Sequence, residues 1–297
     1  MDQKWQDWNW YWETLPPTWA QRMQANAFFG QRTTAKFLKS VAQFRVFPDS
    51  DVPEVAFVGR SNVGKSSLLN AIVDSDMLAR TSATRGFTKT MNIYGVAPSP
   101  GITLTRTPSA YEKISGTGGL TIVDMPGYGS GSLFEWGTEI MKYLQSRKQL
   151  RRVFVLVDAE HGIKDKDTAL LDSLRLGGIS HQIVLSKLDR IFIPPPKNTL
   201  KNVSGKSLKP KGTIADLTLA MTKIRAVVQP SNGAGALGEM LGCSADVLID
   251  GKLMGIDAVR FAVVQAAGVS KRGASSTWGL LSFINTFGAL VKHLRIR

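Results

Sequence analysis

A glycine-rich octapeptide at residues 59–66 restricts the fold of this chain more strongly than any other segment. It reads Gly-Arg-Ser-Asn-Val-Gly-Lys-Ser and lies between an apolar run at 55–58 and a helical run at 67–73. Glycines allow backbone N–H groups to wrap around a phosphate, and the N-terminus of a following helix attracts the same anion. The succession of strand, loop and helix therefore predicts a phosphate-binding P-loop.

The loop supplies the first predicted site residues. We expect Lys65 to contact the terminal phosphates of a nucleotide, as a catalytic residue, and the Ser66 hydroxyl to be a ligand of Mg²⁺. The predicted nucleotide-binding residues of this segment are Gly59, Ser61, Asn62, Val63, Gly64, Lys65, Ser66 and Ser67.

Short apolar runs alternate with helical periods from about residue 51 onward. This alternation is typical of a parallel sheet with crossover helices. Five helices are predicted to begin near Lys65, Leu133, Asp165, Thr213 and Met254. Six strands are predicted at 55–58, 90–96, 120–123, 153–157, 182–185 and 239–242, with 90–96 at the sheet edge. The predicted fold is a P-loop NTPase fold of the small-GTPase kind: a doubly wound α/β domain with a mostly parallel six-stranded sheet and helices on both faces.

Asp124-Met125-Pro126-Gly127 follows the predicted strand 120–123. A carboxylate at that strand end can hold Mg²⁺, and the Gly127 amide can contact a terminal phosphate. We therefore predict Asp124 as a metal ligand and nucleotide contact, and Gly127 as a catalytic and nucleotide-binding residue. Hydrolysis would change the Gly127 contact, so the following loop is predicted to be a nucleotide-dependent switch.

Two further segments predict that the base is guanine. Ser186-Lys187-Leu188-Asp189 follows the strand 182–185, so the Asp189 carboxylate can accept two hydrogen bonds from guanine, which adenine cannot supply. The stem of Lys187 can lie over the ring. Ser244 and Ala245, after the last strand, would supply a backbone N–H to the guanine oxygen, although an ordinary turn there is the alternative. These segments predict a site for GTP and GDP.

The chain is predicted to have three parts. Residues 1–50 are an extension with five tryptophans in its first 20 positions, 51–268 are the nucleotide-binding domain, and 269–297 include a basic amphipathic helix at 278–297. The extension either folds back on its own domain or docks onto a partner. The helix either packs on its domain, enters a ribosomal or protein groove, or makes peripheral membrane contact. Segments near 97–119 and 190–212 are predicted to be long surface loops.

Positive charge predicts a polyanionic partner. The sequence holds 37 Lys and Arg against 23 Asp and Glu, which gives a formal net charge of +14. Residues 190–240 carry eight basic residues against two acids, and 258–297 carry six against none. Such segments suit RNA phosphates, with an anionic membrane or a merely solvated surface as alternatives.

The counts of cysteine and histidine exclude several classes of site. One cysteine, Cys243, cannot form an internal disulfide, so nothing in the fold requires an oxidising compartment. With three histidines, the sequence resembles neither a zinc site nor a nucleophile triad. His161 lies beyond a strand end, and we favour a structural role for it. The first 20 residues resemble neither a secretory signal nor a basic transit peptide, and we expect no membrane-spanning helix.

The motifs together resemble the EngB family of GTPases over residues 44–268, most closely at 53–70 and 123–129. The resemblance implies GTP hydrolysis and assistance in assembly of the large ribosomal subunit. Inserted loops and the altered residues Ser186 and Asp246 make the chain most similar to fungal mitochondrial members. The expected location is the mitochondrial matrix, or the cytoplasm if the source is bacterial.

The resemblance also places the first switch at residues 85–88. It implies that Thr88 is the second Mg²⁺ ligand and a catalytic residue, with Thr84 or Thr90 as alternatives. Tyr128 stands where many GTPases have the glutamine that orients water, so intrinsic turnover is expected to be slow. Relatives with this replacement use K⁺, and Asn62 matches the asparagine that helps to bind it; support of the loop is the alternative role.

The expected function is therefore nucleotide-dependent binding of a monomeric GTPase to rRNA or large-subunit precursors, with Mg²⁺ and possible K⁺ as cofactors. Two alternatives use the same motifs. One is a nucleotide-stabilised RNA-binding scaffold with negligible turnover, and the other is a membrane-associated regulatory GTPase.

Overall fold

The computed structural model describes residues 4–30, 33–75, 90–106, 111–128, 134–195, 199–230 and 235–269. Several predictions lie outside these residues: the first switch at 85–88 with the alternative Thr84, the predicted switch loop after Gly127 from residue 129 to 133, and the amphipathic helix at 278–297.

The described residues form fifteen strands and six α-helices. The strands are β1 Lys4–Gln6, β2 Asn9–Tyr11, β3 Thr33–Val41, β4 Asp49–Ser50, β5 Glu54–Gly59, β6 Met91–Pro98, β7 Thr103–Arg106, β8 Glu112–Ser115, β9 Leu120–Asp124, β10 Leu150–Asp158, β11 His181–Ser186, β12 Leu200–Asn202, β13 Glu239–Gly242, β14 Val247–Ile249 and β15 Lys252–Leu253. The helices are α1 Trp19–Phe28, α2 Lys65–Val73, α3 Phe134–Ser146, α4 Asp165–Leu176, α5 Ile214–Val228 and α6 Ile256–Ala267.

Nine of the strands form the central sheet, in the order β1-β2-β13-β11-β10-β5-β9-β6-β3. The five central strands, from β13 to β9, are parallel, and the two strands on each side are antiparallel to their neighbours. All six residues of β5 are buried, as are all six of β11. This burial explains the apolar runs 55–58 and 183–185 within them, because helices cover both faces of a parallel sheet.

The two faces of the sheet are covered by different helices. Residues of α3, α4 and α5 pack on one face in a cluster that includes Tyr143, Leu171 and Met221. Residues of α2 and α6 pack on the other face in a cluster that includes Leu68 and Val259. The carboxyl ends of the central strands, where α2 begins, remain free of these layers and carry the predicted site residues.

The predicted fold class is confirmed, and each of the six predicted strands overlaps a strand of the central sheet. The edge position predicted for 90–96 is wrong, because β3 pairs along nearly the whole of β6. Three strands of the central sheet were not predicted, namely β1, β2 and β3, all from residues 1–50. Their polar or irregular sequences gave no clear strand signal.

The Trp-rich segment folds back on its own domain, which is one of the two alternatives for it. Trp10 pairs with Met240 of β13, and Trp10 and Trp12 are 3% and 4% exposed. The guanidinium of Arg225 in α5 lies 5.0 Å and 5.1 Å from the ring centroids of Trp10 and Trp12. Trp10 and Trp12 therefore belong to the core of the domain, whereas Trp19 is 70% exposed.

The two segments predicted to be long loops contain strands, so those predictions are wrong in part. Residues 103–106 and 112–115 form the antiparallel pair β7–β8, which extends a small sheet with β4. Residues 200–202 form β12, which joins β14 and β15 in a second three-stranded sheet. Among the described residues, no helix is long and apolar enough to cross a membrane.

Candidate functional site

The P-loop joins the end of β5 to the first residue of α2. Asn62 and Gly64 have φ angles of +65° and +93°, so the chain passes twice through the left-handed region before the helix begins. Glycine adopts this conformation without steric cost, which explains Gly64. A Cβ atom on Gly59 would lie 2.8 Å from a methyl carbon of Val63, so the first glycine is required by close packing.

Lys65 and Asp124 form an ion pair between the P-loop and the end of β9. Burial raises the pKa of the Asp124 carboxyl, and the neighbouring ammonium of Lys65 opposes that increase. Both side chains are largely shielded from solvent, at 11% and 7% exposure. The structure thus brings together two of the predicted phosphate- and metal-binding groups.

The donor set at this point fits Mg²⁺. The Asp124 carboxylate and the partly exposed Ser66 hydroxyl, one residue after Lys65, are oxygen ligands of the kind that Mg²⁺ prefers. Ser67 is exposed in the first turn of the same helix. Thr88, the predicted second ligand, lies outside the described residues. The fallback Thr90 is described, and its hydroxyl donates to Asn92 Oδ1 at 3.3 Å.

Gly127 lies directly against the P-loop. The Ser61 amide donates to the Tyr128 carbonyl at 3.0 Å, and the Tyr128 amide donates to the Gly59 carbonyl at 3.3 Å. A Cβ atom on Gly127 would lie 3.1 Å from Ser61 Cα and 3.0 Å from Ser61 Oγ. The backbone after Asp124 is therefore joined to the phosphate-binding loop, and a side chain at Gly127 would require Ser61 to shift by a few tenths of an ångström.

Ser186 and Lys187 connect the end of β11 to the same loop. The Ser186 hydroxyl donates to the Val63 carbonyl at 2.6 Å, and Lys187 Nζ donates to the Asn62 carbonyl at 2.6 Å. The stem of Lys187 passes over Gly64, whose ideal Cβ position is 3.7 Å from Lys187 Cε. Serine is shorter than the asparagine or threonine usual at position 186, yet its hydroxyl still reaches the P-loop.

Asp189 is positioned by Ser244, the second residue after β13. The Ser244 hydroxyl donates to Asp189 Oδ1 at 2.6 Å and accepts the amides of Asp246 and Val247 at 3.1 Å and 3.2 Å. The Asp189 side chain is 18% exposed. Ala245, which follows Ser244 in the sequence, is half-buried. The two segments predicted to recognise guanine thus form one hydrogen-bonded unit.

Asp158, at the end of β10, is a site residue that the sequence analysis missed. Its carboxylate accepts from Lys187 Nζ at 2.9 Å and lies 2.9 Å from His161 Nδ1. Burial would raise the pKa of Asp158, but hydrogen bonds from Lys187 and His161 outweigh it and lower the pKa to about 2. His161 contacts this carboxylate with its ring and its amide, which fits the structural role favoured for it.

Asp167 in α4 is a second missed residue. Its fully buried carboxylate forms an ion pair with Arg60, whose Nε lies 3.0 Å away, and accepts from the Tyr128 hydroxyl at 2.7 Å and from the Lys164 amide at 2.9 Å. Asp158 could have been found from its strand-end position, as Asp124 was. Asp167 carries no such signal, because it is the third residue of α4 and does not lie at a strand end.

Comparison with known proteins gives concordant matches. A family model described as 50S ribosome-binding GTPase matches residues 54–187. The chain is 40% identical over 179 residues to a "Probable GTP-binding protein EngB" of Rhizobium etli, which covers 58% of this chain and 77% of the relative. It is 34% identical over 235 residues to the protein of the same name from Bartonella bacilliformis. That alignment covers 77% of this chain and 91% of the relative. A crystal structure of a probable GTP-binding protein engB aligns at 16% identity and a TM-score of 0.39, over 72% of this chain and 98% of that one.

Proposed function

Because the chain belongs to the EngB family of GTP-binding proteins, a family of ribosome-biogenesis GTPases, we propose that it assists assembly of the large ribosomal subunit. The protein is a GTPase. In the proposed function, the GTP-bound protein binds rRNA or a large-subunit precursor, and hydrolysis weakens that binding. Membership of the family is the observation that carries the proposal, and the net charge of +14 supports an RNA partner.

The site geometry supports a change in conformation that depends on the nucleotide. Lys65, Ser66 and Asp124 are the residues that would hold the terminal phosphates and Mg²⁺, and the ion supplies charge neutralisation during phosphoryl transfer. Gly127 contacts the P-loop backbone directly, so a terminal phosphate that hydrogen-bonds to its amide would fix the loop that follows. Loss of that phosphate releases the loop and alters the surface presented to the ribosomal particle.

Sedimentation with large-subunit precursors tests the proposal. Wild-type protein should co-sediment with the particles in a non-hydrolysable GTP analogue and be released in GDP. The Asp189→Asn variant provides the matched control, because it should respond to xanthine nucleotides and ignore guanine nucleotides. Equal co-sedimentation of wild-type protein in both nucleotide states would contradict nucleotide-dependent binding, and none in either state would contradict ribosomal binding.

We also propose that K⁺ stimulates hydrolysis through Asn62. The side chain of Asn62 is exposed at the loop where phosphates are expected, and its backbone is held by Lys187. Turnover should be higher in K⁺ than in Na⁺ at equal ionic strength, and Asn62→Ala should remove the difference. Equal turnover of the wild-type protein in the two salts would eliminate this role.

The location and oligomeric state belong to the same proposal. The inserted segments and altered guanine-binding residues, which resemble those of fungal mitochondrial members, support a location in the mitochondrial matrix. Protease protection of a tagged protein in isolated mitochondria tests this location. The proposed active form is a monomer, and light scattering in GDP and in a GTP analogue should give the mass of one chain.

A further inference from the structure

The three-stranded sheet β12-β14-β15 carries an ordered group of exposed lysines. It is built from the inserted segment 199–212 and from residues 247–253, which follow the loop 243–246 that contains Ser244. One side is anchored to the core by Leu200 and Val247, which are 7% and 1% exposed. The exposed lysines are Lys201, Lys206, Lys209, Lys211 and Lys252. These residues are called the lysine sheet below.

Backbone hydrogen bonds hold the lysine sheet in a defined shape. Lys201 pairs with Leu248 of β14, and the turn after β12 is closed by the Asn202 amide, which donates to the Lys206 carbonyl at 2.9 Å. Lys211 exchanges two hydrogen bonds with Ile193, at 2.8 Å and 3.1 Å. The positive charges are therefore carried by a folded surface, which reduces the entropy lost when a partner binds.

The lysine sheet carries an excess of positive charge. Residues 199–212 and 247–253 contain five lysines and one acid, Asp250. None of the five lysines forms an ion pair with a described residue, whereas Lys39, Lys113 and Lys142 elsewhere on the surface each do. A group of unpaired ammonium ions on an ordered surface suits a partner with closely spaced negative charges.

We propose that the lysine sheet is the surface that binds the phosphate backbone of structured RNA. This inference rests on the proposed function and identifies where the RNA is bound. A membrane is the weaker partner, because Val203 is the one large apolar side chain that is exposed in residues 199–212 and 247–253. A surface that binds at a membrane interface needs a broader apolar area. The Val203 amide donates to the Asp246 carbonyl at 2.9 Å, so bound RNA would lie next to the loop that contains Ser244.

A pair of matched lysine variants tests the proposal. The first combines Lys201→Gln, Lys206→Gln, Lys209→Gln and Lys211→Gln. The control combines Lys36→Gln, Lys142→Gln, Lys148→Gln and Lys166→Gln, which removes the same charge from exposed positions in or beside β3, α3 and α4. Binding of a fluorescently labelled RNA hairpin is measured by anisotropy across a series of KCl concentrations. GTP affinity and urea unfolding are measured on both variants to verify that they are folded.

The first variant should bind the hairpin at least about tenfold more weakly at low salt, and its slope of log affinity against log salt should fall by about three, since each lost phosphate contact contributes about 0.7 to 0.9. The control should stay within about threefold of wild type, because salt screens charges that lie more than a Debye length from the bound RNA. Equal loss in the two variants, or no loss in the first, would overturn the proposal.

Two further results separate this inference from the proposed function. If the wild-type protein binds neither the hairpin nor ribosomal particles, the proposed function fails and the inference fails with it. If the wild type binds particles and the first variant binds them equally well, only the lysine sheet is wrongly assigned. Vesicles containing phosphatidylserine form the last arm: a loss of vesicle binding without a loss of RNA binding would overturn the assignment to RNA.

Discussion

The hydroxyl of Tyr128 donates a 2.7 Å hydrogen bond to the buried carboxylate of Asp167. Burial and the neighbouring Asp167 raise the pKa of this phenol far above its usual range. Tyr128 follows Gly127, where other GTPases place a water-orienting side chain, but here its polar atom is directed to α4. Asp167 also binds Arg60, so one carboxylate joins the P-loop to the backbone after Gly127.

Tyr128→Phe should therefore affect stability more than catalysis. Removing the hydroxyl leaves Asp167 without one donor and should lower the free energy of unfolding by about 1–2 kcal/mol. The hydroxyl cannot orient water while it is bound to Asp167, so single-turnover GTP hydrolysis should stay within about twofold of wild type. Urea unfolding and rapid-quench kinetics measure the two effects. A large loss of hydrolysis with unchanged stability would show that the phenol acts on the nucleotide.

Asp158→Asn should weaken nucleotide binding. Asp158 holds the ammonium of Lys187, and without its charge the lysine stem is less firmly held over the base site. We expect GDP to bind about five- to tenfold more weakly by titration calorimetry. His161→Ala serves as the control, because that ring is mostly exposed and should change the affinity by less than about twofold. Equal effects of the two substitutions would assign Asp158 only to the local turn.

Acid should remove the stability that Asp158 contributes. Its pKa in the folded protein is about 2, below the ordinary aspartate value of about 4. The contribution is therefore complete above about pH 4 and is lost as the pH falls toward 2. The difference in unfolding free energy between wild type and Asp158→Asn, from urea titrations, should be constant from pH 5 to pH 7 and shrink below about pH 4. A difference that grows on acidification would contradict the lowered pKa.

Asp189→Asn should change the preferred base from guanine to xanthine. The substitution removes the carboxylate that is expected to accept hydrogen bonds from guanine, so GTP affinity should fall about a hundredfold. The asparagine amide can instead donate a hydrogen bond to xanthine, so xanthosine nucleotides should bind more tightly. Ser244→Ala keeps the carboxylate and removes its positioning hydrogen bond, so a loss of only about three- to tenfold is expected. Competition binding with GDP and XDP gives both values. Undiminished GTP affinity in Asp189→Asn would remove this residue from base recognition.

Gly127→Ala should impair hydrolysis by steric contact with the P-loop. The added methyl group would lie 3.1 Å from Ser61 Cα and displace the backbone that carries the Gly127 amide. A displacement of this kind should lower single-turnover hydrolysis by about tenfold or more. Gly137→Ala is the control, because open space surrounds the corresponding position in α3. Unchanged hydrolysis in Gly127→Ala would mean that the contact with Ser61 does not position the reacting groups.

The reactivity of Cys243 should report opening of the loop 243–246, which contains Ser244. Burial, with a contribution from Asp189, raises the pKa of its thiol to about 12, and the side chain is 1% exposed. The folded protein should therefore react slowly with a thiol reagent at pH 8, and GDP should slow the reaction further. Labelling rates with and without GDP, and in urea, measure this effect. Immediate labelling of the native protein would contradict the packing of this loop.

The sequence predicted which candidate site residues lie close together better than it predicted the contacts that support them. Lys65, Asp124, Ser186 and Asp189 could be predicted to lie near one another because strand ends of a parallel sheet, and the P-loop that follows one of them, meet at one edge. Asp167 was not found, since its partners Arg60 and Tyr128 are far away in sequence and its burial depends on the packing of α4. The small sheet that includes β12 was missed because Gly, Ser, Lys and Pro dominate its segment and its partner strand β14 follows about fifty residues later.

The pairing of β2 with β13 also has a consequence for biosynthesis. Asn9 Oδ1 accepts the Gly242 amide from a residue 233 positions away, and Trp10 pairs with Met240. The antiparallel pair β1–β2 therefore leaves the ribosome long before β13, the strand that completes its pairing, has been translated. Contacts of such long range form slowly, and the uncovered indoles are available to chaperones or to other nascent chains until translation has passed β13.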